Sequence, residues 1–264
     1  MDLSFKGQAK RLDNIDLPIL GSQIGVGEDE LHAFLDVETR GSGFDASGRP
    51  AMLFEPHIFY KHVPKEKRQR AVNEGLAYAN WGARPYPKDS YQRLLKAIAI
   101  DETAALKSAS WGLGQIMGFN HALAGYATVQ DMVTAFMADE ENQLAAAVNF
   151  IKANRLDDEL RRHDWAGFAR GYNGAGYAKN RYDVKLAEAF AKWSRIKDTP
   201  VPQLTLRPVI PPDTSTPVVY QKQPEVILKP DSVSHTVNKP VAPTVRKSLI
   251  VEIIALIVAL FKRK

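Results

Sequence analysis

The sequence predicts a mainly helical α+β domain with one small β element, followed by a disordered proline-rich linker and an apolar C-terminal helix. Helical periodicity recurs along the first part of the 264-residue chain, and strand-like and turn-like residues cluster only near residues 44–55. All 17 glycines lie between Gly7 and Gly176, whereas 10 of the 16 prolines lie between Pro200 and Pro243. This contrast separates a folded part from a linker that buries too little apolar surface to fold.

Charge supports a division into a catalytic domain over residues 1–198, a linker over 199–247 and a tail over 248–264. The first part carries 26 Lys and Arg against 26 Asp and Glu, so the formal net charge of +5 belongs to the rest of the chain. We therefore expect no nucleic-acid surface on the main domain. The absence of cysteine excludes disulfides and thiolate metal sites. The N-terminus lacks an apolar run of signal-peptide length, so we expect no signal peptide.

One helix organises the domain and ends in a carboxylate. Three apolar residues and one acid recur at helical spacing on one face: Leu31, Phe34, Leu35 and Glu38. Gly41 and Gly43 end the helical pattern, so Glu38 is expected in the last turn. Burial and the negative end of the helix dipole should both raise the pKa of Glu38. A carboxylic acid that stays protonated near neutral pH is what a glycosidase needs to protonate a leaving oxygen.

Two more carboxylates follow in a predicted β excursion. The turn-like residues 45–50 precede a short apolar strand over 51–54, which Glu55 closes. Glu55 is our first candidate for a second catalytic carboxylate, and Asp45 is the alternative because it is placed to hold a water. The competing interpretations are structural: Asp45 as a turn-forming residue and Glu55 as an ion-pair partner of Arg49 or His57.

Two glycine-rich motifs add candidates for substrate binding. The first reads S-W-G-L-G-Q-I-M-G over residues 110–118, and the second reads R-G-Y-N-G-A-G-Y over residues 170–177. Gly112 and Gly114 let the backbone approach a ligand closely. Gln115 offers both a donor and an acceptor to an acetamido sugar.

In this order, four segments resemble the phage and prophage N-acetylmuramidase endolysin family over residues 20–195. They read V-E-T-R-G-S-G-F, G-R-P-A-M-L-F-E-P-H, S-W-G-L-G-Q-I-M-G and G-Y-N-G. The third is similar to the G-L-M-Q-I signature of goose-type lysozymes and lytic transglycosylases, and the fourth is similar to the Y-N-x-G motif of the same superfamily. The resemblance implies a two-lobed, lysozyme-like fold that cleaves peptidoglycan between N-acetylmuramic acid and N-acetylglucosamine.

The resemblance also implies roles for individual residues. Glu38 occupies the position of the catalytic glutamate, and Gln115 matches the glutamine that lines the cleft. Tyr172 and Asn173 match the pair that contacts the sugar at the cleavage point. The 17-residue step from Glu38 to Glu55 is similar to the spacing of the two acids in animal lysozymes.

Several further residues have both a functional and a structural interpretation. Glu102 is a rival acid on a helix that we predict over residues 90–106. Trp111 and Tyr86 are candidates for stacking on sugar faces, with packing in the core or at the rim as the alternative. The three histidines without a partner at metal-ligand spacing are interpreted as structural: His57, His121 and His163.

The leading hypothesis is a monomeric muramidase domain that acts on peptidoglycan glycan strands without cofactor or metal. The alternatives are a lytic transglycosylase with a single acid/base and a non-enzymatic wall-binding or membrane-binding protein that acts through its tail. Without a signal peptide, synthesis in the host cytoplasm and action in the periplasm or wall are expected.

The tail is apolar from Leu249 to Phe261, interrupted by Glu252, and ends in three cations. As a helix it would be about 20 Å long, which is short of the roughly 30 Å hydrocarbon core of a bilayer. We therefore expect residues 249–264 to associate with the surface of an anionic membrane, with helical self-association as the alternative.

Overall fold

The computed structural model describes residues 2–38 and 41–200, over which helices predominate around one small sheet. The expectations for the linker beyond residue 200 and for the tail lie outside the described residues. Within that range the α-helices are α1 (Asp16–Ser22), α2 (Glu28–Glu38), α3 (Pro56–His62), α4 (Lys65–Asn73), α5 (Tyr91–Ile98), α6 (Glu102–Lys107), α7 (Val129–Ala138), α8 (Glu140–Ala153), α9 (Asp157–Arg161), α10 (Trp165–Asn173) and α11 (Tyr182–Trp193). The strands are β1 (Met52–Phe54), β2 (Ala109–Trp111) and β3 (Ile116–Met117). The predicted mainly helical class is confirmed.

The sheet brings the predicted β excursion next to the Gly-Gln motif. Its three strands run antiparallel in the order β1–β2–β3. Met52 pairs with Trp111, and Ser110 pairs with Met117. The backbone N–H of Gly112 extends this pairing by donating to the carbonyl of Ala51 at 2.8 Å. Residues far apart in sequence therefore meet at one end of the sheet.

Helix α2 packs its predicted apolar face into the core. Leu31 and Phe34 are fully buried, and α2 contacts α1 on one side and α11 on another. The ring of Phe34 meets the rings of Phe168 and Tyr172 from α10 edge-on, with centroids 6.3 and 5.2 Å apart. This packing fixes the C-terminal end of α2 against α10.

Residues 4–27 have a sequence typical of a short helical lead-in that Pro18 and three glycines interrupt, but α1 is the one helix described there. Phe5 and Ala9 have positive φ angles of 54° and 50°, which a helix does not allow. Phe5 is instead buried in the core, with its ring centroid 5.8 Å from that of Trp111. Lys10 forms a parallel β-bridge with Asp139. Tertiary contacts therefore replace local helix formation in this segment.

The helix predicted over residues 90–106 is also wrong, because it breaks into α5 and α6. Asp101 has an extended backbone (φ −160°, ψ 108°), and its side chain accepts a hydrogen bond from the N–H of Ala104. This is an N-cap, the position that aspartate favours at the start of a helix. By contrast, the spacing of Thr128 and Asp131 in the sequence predicts a capping box, and the structure has one at the start of α7. Among the described residues, none of the helices has the length and apolar character needed to cross a membrane.

Candidate active site

Glu38 is the last residue of α2, as the sequence predicts, and its side chain meets the end of α10. Asn173 donates a hydrogen bond from Nδ2 to Oε1 of Glu38 at 2.7 Å. Gly174 ends α10 with a φ of 78°, a conformation that glycine adopts at little cost. The V-E-T-R and G-Y-N-G motifs, which lie about 135 residues apart in sequence, therefore come together at Glu38.

Tyr172 connects this pair to the third motif. Its hydroxyl donates to the carbonyl oxygen of Gly114 at 2.9 Å. A Cβ at Gly114 would lie 3.1 Å from that hydroxyl and 2.9 Å from the Cβ of Ala147, so only glycine fits here without displacement. The first, third and fourth of the four segments that carry the resemblance therefore converge around Glu38 and Tyr172.

Burial raises the pKa of Glu38 to about 7, in the direction that the sequence predicts. The hydrogen bond from Asn173 and the positive charge of Lys185 on α11 act in the opposite direction, because both favour the ionised carboxylate. Burial also raises the pKa of Tyr172 well above its usual value, and the negative charge of Glu38 adds to this effect. Tyr172 consequently stays a hydroxyl donor, and Glu38 titrates close to neutral pH.

Gln115 occupies a strained position in the loop between β2 and β3. Its φ is +47°, a left-handed conformation that is uncommon for residues other than glycine. Its side chain turns back onto the hairpin, where Nε2 donates to the carbonyl of Gly112 at 2.8 Å and Oε1 accepts from Ser110 Oγ at 2.9 Å. These bonds hold an exposed residue in a defined conformation, and strain of this kind is often concentrated at functional sites.

Asp45 forms the turn that the structural alternative predicts. Its Oδ1 accepts from the backbone N–H groups of Ser47 and Arg49 at 2.8 and 3.0 Å. Its Oδ2 accepts from Nε of Arg49 at 2.8 Å. Both oxygens therefore already have partners within the turn.

Glu55 is engaged differently. The hydroxyl of Tyr86 donates to its Oε2, and Nδ1 of His57 lies 3.2 Å from the same oxygen. Both contacts go to Oε2, and 14% of the Glu55 side chain is exposed. Tyr86 thus acts as a donor to a carboxylate at the end of β1.

Trp111 corrects a prediction, because it lies in the core and has no face open to a sugar. It is fully buried, and its indole N–H donates to the carbonyl of Leu106 at 3.1 Å. Strand β2 is buried at all three positions, which turns the tryptophan inward next to Phe5 and Tyr91. The second of its two interpretations, packing in the core, is correct.

The rival acid Glu102 lies in the first turn of α6, a helix that contacts α3, α5 and α7. Its Oε1 accepts from Nε2 of Gln130 at 3.2 Å.

The histidines contact other protein groups: Nε2 of His163 lies 2.7 Å from Oε1 of Glu30, and Nδ1 of His121 lies 3.1 Å from the carbonyl oxygen of Tyr126. In the part of the chain that the structure describes, no three His, Asp or Glu side chains are grouped so as to hold a metal ion.

Three residues near the site lie outside the motifs that the sequence analysis singled out: Arg11, Glu140 and Gln143. Gln143 is fully buried; its Oε1 accepts from the N–H of Leu113 at 2.9 Å and it leaves no room for a Cβ at Gly43. Glu140 and Arg11 contact the segment that follows Glu38. An acidic residue at a helix start is too common a pattern to reveal these contacts.

The raised pKa of Glu38 predicts a pH-dependent stability effect of Glu38→Gln. The folded state holds the proton up to about pH 7, whereas the ordinary pKa of a glutamate side chain is 4.5. The free energy of unfolding of the wild type should therefore fall as pH rises from about 4.5 to about 7. The Gln variant should be more stable than wild type by about 1–3 kcal/mol at pH 8 and equal to it at pH 4.

Urea denaturation at pH 4, 6 and 8 measures this difference. Glu188→Gln on α11, where the glutamate is exposed, is the matched control and should show no such pH-dependent gain. A constant difference between Glu38→Gln and wild type across this range would contradict the buried, proton-retaining state of Glu38.

Comparison with known proteins shows the family of this chain. The profile of the Muramidase family, described as N-acetylmuramidase, matches residues 28–194. Among solved structures, the crystal structure of the Burkholderia AP3 phage endolysin matches with a TM-score of 0.65 and 36% sequence identity, over 70% of this chain and 73% of that chain. A search of curated proteins gave no match. The chain therefore belongs to the N-acetylmuramidase family and is a lysozyme-type glycoside hydrolase that acts on peptidoglycan.

Proposed function

We propose that this protein is an endolysin-type muramidase that hydrolyses the bond between N-acetylmuramic acid and N-acetylglucosamine, with Glu38 as the general acid. The observation that carries the proposal is the carboxyl group of Glu38, which burial holds at a pKa of about 7 while Asn173 donates to it. An acid with this pKa is largely protonated at mildly acidic to neutral pH, so it has a proton to donate to the leaving glycosidic oxygen.

The same surroundings suit the ionised form that follows proton transfer. Once Glu38 has given up its proton, the N–H of Asn173 and the charge of Lys185 stabilise the carboxylate. The positive charge that develops on the sugar ring then faces this carboxylate. Glu38 therefore changes from proton donor to electrostatic partner without rearrangement of its neighbours.

Substrate positioning is assigned to Gln115, Tyr172 and Asn173. Tyr172 holds the backbone of Gly114 and stacks on Phe168, with ring centroids 5.6 Å apart, so it sets where the Gly-Gln loop lies. Gln115 is exposed, and its Oε1, which accepts one bond from Ser110 Oγ, has a second lone pair that can accept from an acetamido sugar. Loss of such a polar contact costs about 1–3 kcal/mol of substrate binding.

Glu38→Gln should fold and lose activity by at least about 100-fold, because general acid catalysis alone contributes roughly 10²–10⁴-fold. Glu102→Gln is the matched control and should keep wild-type activity, since Glu102 contacts Gln130 on α7. Turbidity clearing of permeabilised cells measures both. An active Glu38→Gln with an inactive Glu102→Gln would place the acid on α6 instead.

Glu55 is proposed as the second carboxylate, because both of its contacts go to one oxygen, whereas both oxygens of Asp45 accept bonds within their turn. Glu55→Gln should therefore reduce turnover by about 100-fold with little change in melting temperature. Asp45→Asn should weaken the ion pair to Arg49 and act mainly on stability. The reverse pattern of activity loss would assign the role to Asp45.

A lytic transglycosylase with a single acid/base is the second candidate. It is favoured because the carboxylates of both Asp45 and Glu55 already contact other groups of the protein. This enzyme class needs no second carboxylate to activate water. Mass spectrometry of released muropeptides separates the two reactions, since hydrolysis leaves reducing muramic ends and the transglycosylase product is lighter by one water. Full activity in both Glu55→Gln and Asp45→Asn would agree with the lighter product.

The tail is proposed to place the enzyme at a membrane surface while the linker lets the catalytic domain reach the wall. Its three terminal cations favour anionic lipid by about 1 kcal/mol each. Flotation with anionic liposomes should carry the full chain upward and leave a chain that ends at Lys247 in the soluble fraction. Equal behaviour of the two proteins would rule out this role.

A further inference from the structure

The segment from Gly41 to Gly43, which begins three residues after Glu38, is held by an arginine from the N-terminal part of the chain. Arg11 donates from Nη2 to the carbonyl of Gly41 at 2.8 Å. Its Nη1 donates to Oγ of Ser42. A single guanidinium therefore contacts two successive residues, which is the forked geometry that distinguishes arginine from lysine.

Glu140 holds the same segment from the start of α8. Its Oε1 accepts from the N–H of Gly43 at 2.7 Å, and its Oε2 accepts from the N–H of Leu12 at 3.1 Å. Nε of Arg11 lies 3.0 Å from Oε2. Glu140 is only 2% exposed, and a buried carboxylate is costly unless donors surround it. These donors come from the N-terminal segment and from the segment after Glu38.

The N-terminal segment is itself fixed at the junction of α7 and α8. The N–H groups of Ala9 and Lys10 donate to the carbonyls of Met137 and Ala138 at 3.2 and 3.0 Å. The N–H of Glu140 donates back to the carbonyl of Lys10 at 2.9 Å. Arg11 therefore reaches the Gly41–Gly43 segment from a rigid base. It also lies before residue 28, where the family match begins.

We propose that Arg11 and Glu140 form a positioning pair for the muramidase reaction, which holds Gly41–Gly43 and so fixes the carboxyl group of Glu38 at the end of α2. This inference rests on Glu38 being the general acid. Catalysis depends steeply on such placement, because a displacement of about 1 Å costs on the order of 100-fold in rate.

The pH profile of activity separates positioning from a purely structural role. The groups that face Glu38 are Asn173 and Tyr172 from α10 and Lys185 from α11, and burial is the largest influence on its pKa. Loosening the segment should hydrate Glu38 and lower its pKa from about 7 toward the ordinary value of 4.5. The upper limb of the activity profile, where Glu38 loses its proton, should then move to lower pH.

The experiment compares Arg11→Ala and Arg11→Lys with Arg70→Ala in the full chain. Arg70 on α4 is the matched control, because it forms a surface ion pair with Glu74, the residue that follows this helix. Its side chain is 60% exposed, against 56% for that of Arg11. Rates on purified peptidoglycan are measured at saturating and limiting substrate from pH 4 to 9, together with the melting temperature of each variant.

We expect Arg11→Ala to reduce kcat by about 10- to 100-fold, with a smaller change in KM and a shift of the upper limb to lower pH. Arg11→Lys should recover part of the rate, because an ammonium group replaces the charge but not the fork. Arg70→Ala should match wild type. A wild-type rate in Arg11→Ala, or a loss that follows melting temperature with an unmoved pH limb, would overturn the positioning role.

Glu38→Gln, measured alongside, distinguishes this inference from the proposed function. An active Glu38→Gln overturns the assignment of the acid and the positioning role with it. An inactive Glu38→Gln with an unaffected Arg11→Ala overturns the positioning role alone.

Discussion

The packing of the end of α2 against the end of α10 is the constraint on which the rest of the site depends. There the half-buried Glu38 accepts a hydrogen bond from the amide of Asn173 at 2.7 Å. Burial favours the protonated acid, and the amide favours the carboxylate. The balance leaves a group that changes charge near neutral pH, which is the property an acid catalyst requires.

This balance has a cost in stability. Above neutral pH the folded protein holds the carboxylate of Glu38 ionised in a poorly hydrated place, so the proposed acid opposes folding under those conditions. The surrounding structure compensates through apolar packing that is independent of pH: Phe34 and Phe168 are both fully buried beside Tyr172. A destabilised active site on a well-packed frame is a common arrangement in enzymes.

Strain is concentrated in the loop between β2 and β3, which Tyr172 holds through Gly114. Gln115 adopts a left-handed conformation although it is not a glycine, and its own side chain bonds to Gly112 and Ser110 to hold it there. Tyr172 adds a further restraint by donating to Gly114. Since such conformations persist only when their surroundings enforce them, the position of Gln115 is set by the whole junction and not by its local sequence.

Periodicity and motif chemistry alone were enough to determine several features of this protein. The apolar face of α2, the capping box at Thr128 and the turn before β1 follow from local spacing and turn chemistry, and four short segments in order indicated the family. The tertiary structure decided the rest. Local sequence did not reveal that Phe5 enters the core. It also did not reveal that Asp101 breaks a helix, because an aspartate can lie within a helix or cap its start, and contacts elsewhere in the fold decide between the two. It also left Trp111 open between core and cleft, since β2 is only three residues long and all three of its positions are buried, so alternation along the strand does not distinguish the two faces. Arg11 and Glu140 act through contacts between segments about 30 and 97 residues apart, and a pairing of that kind exists only once the chain has folded.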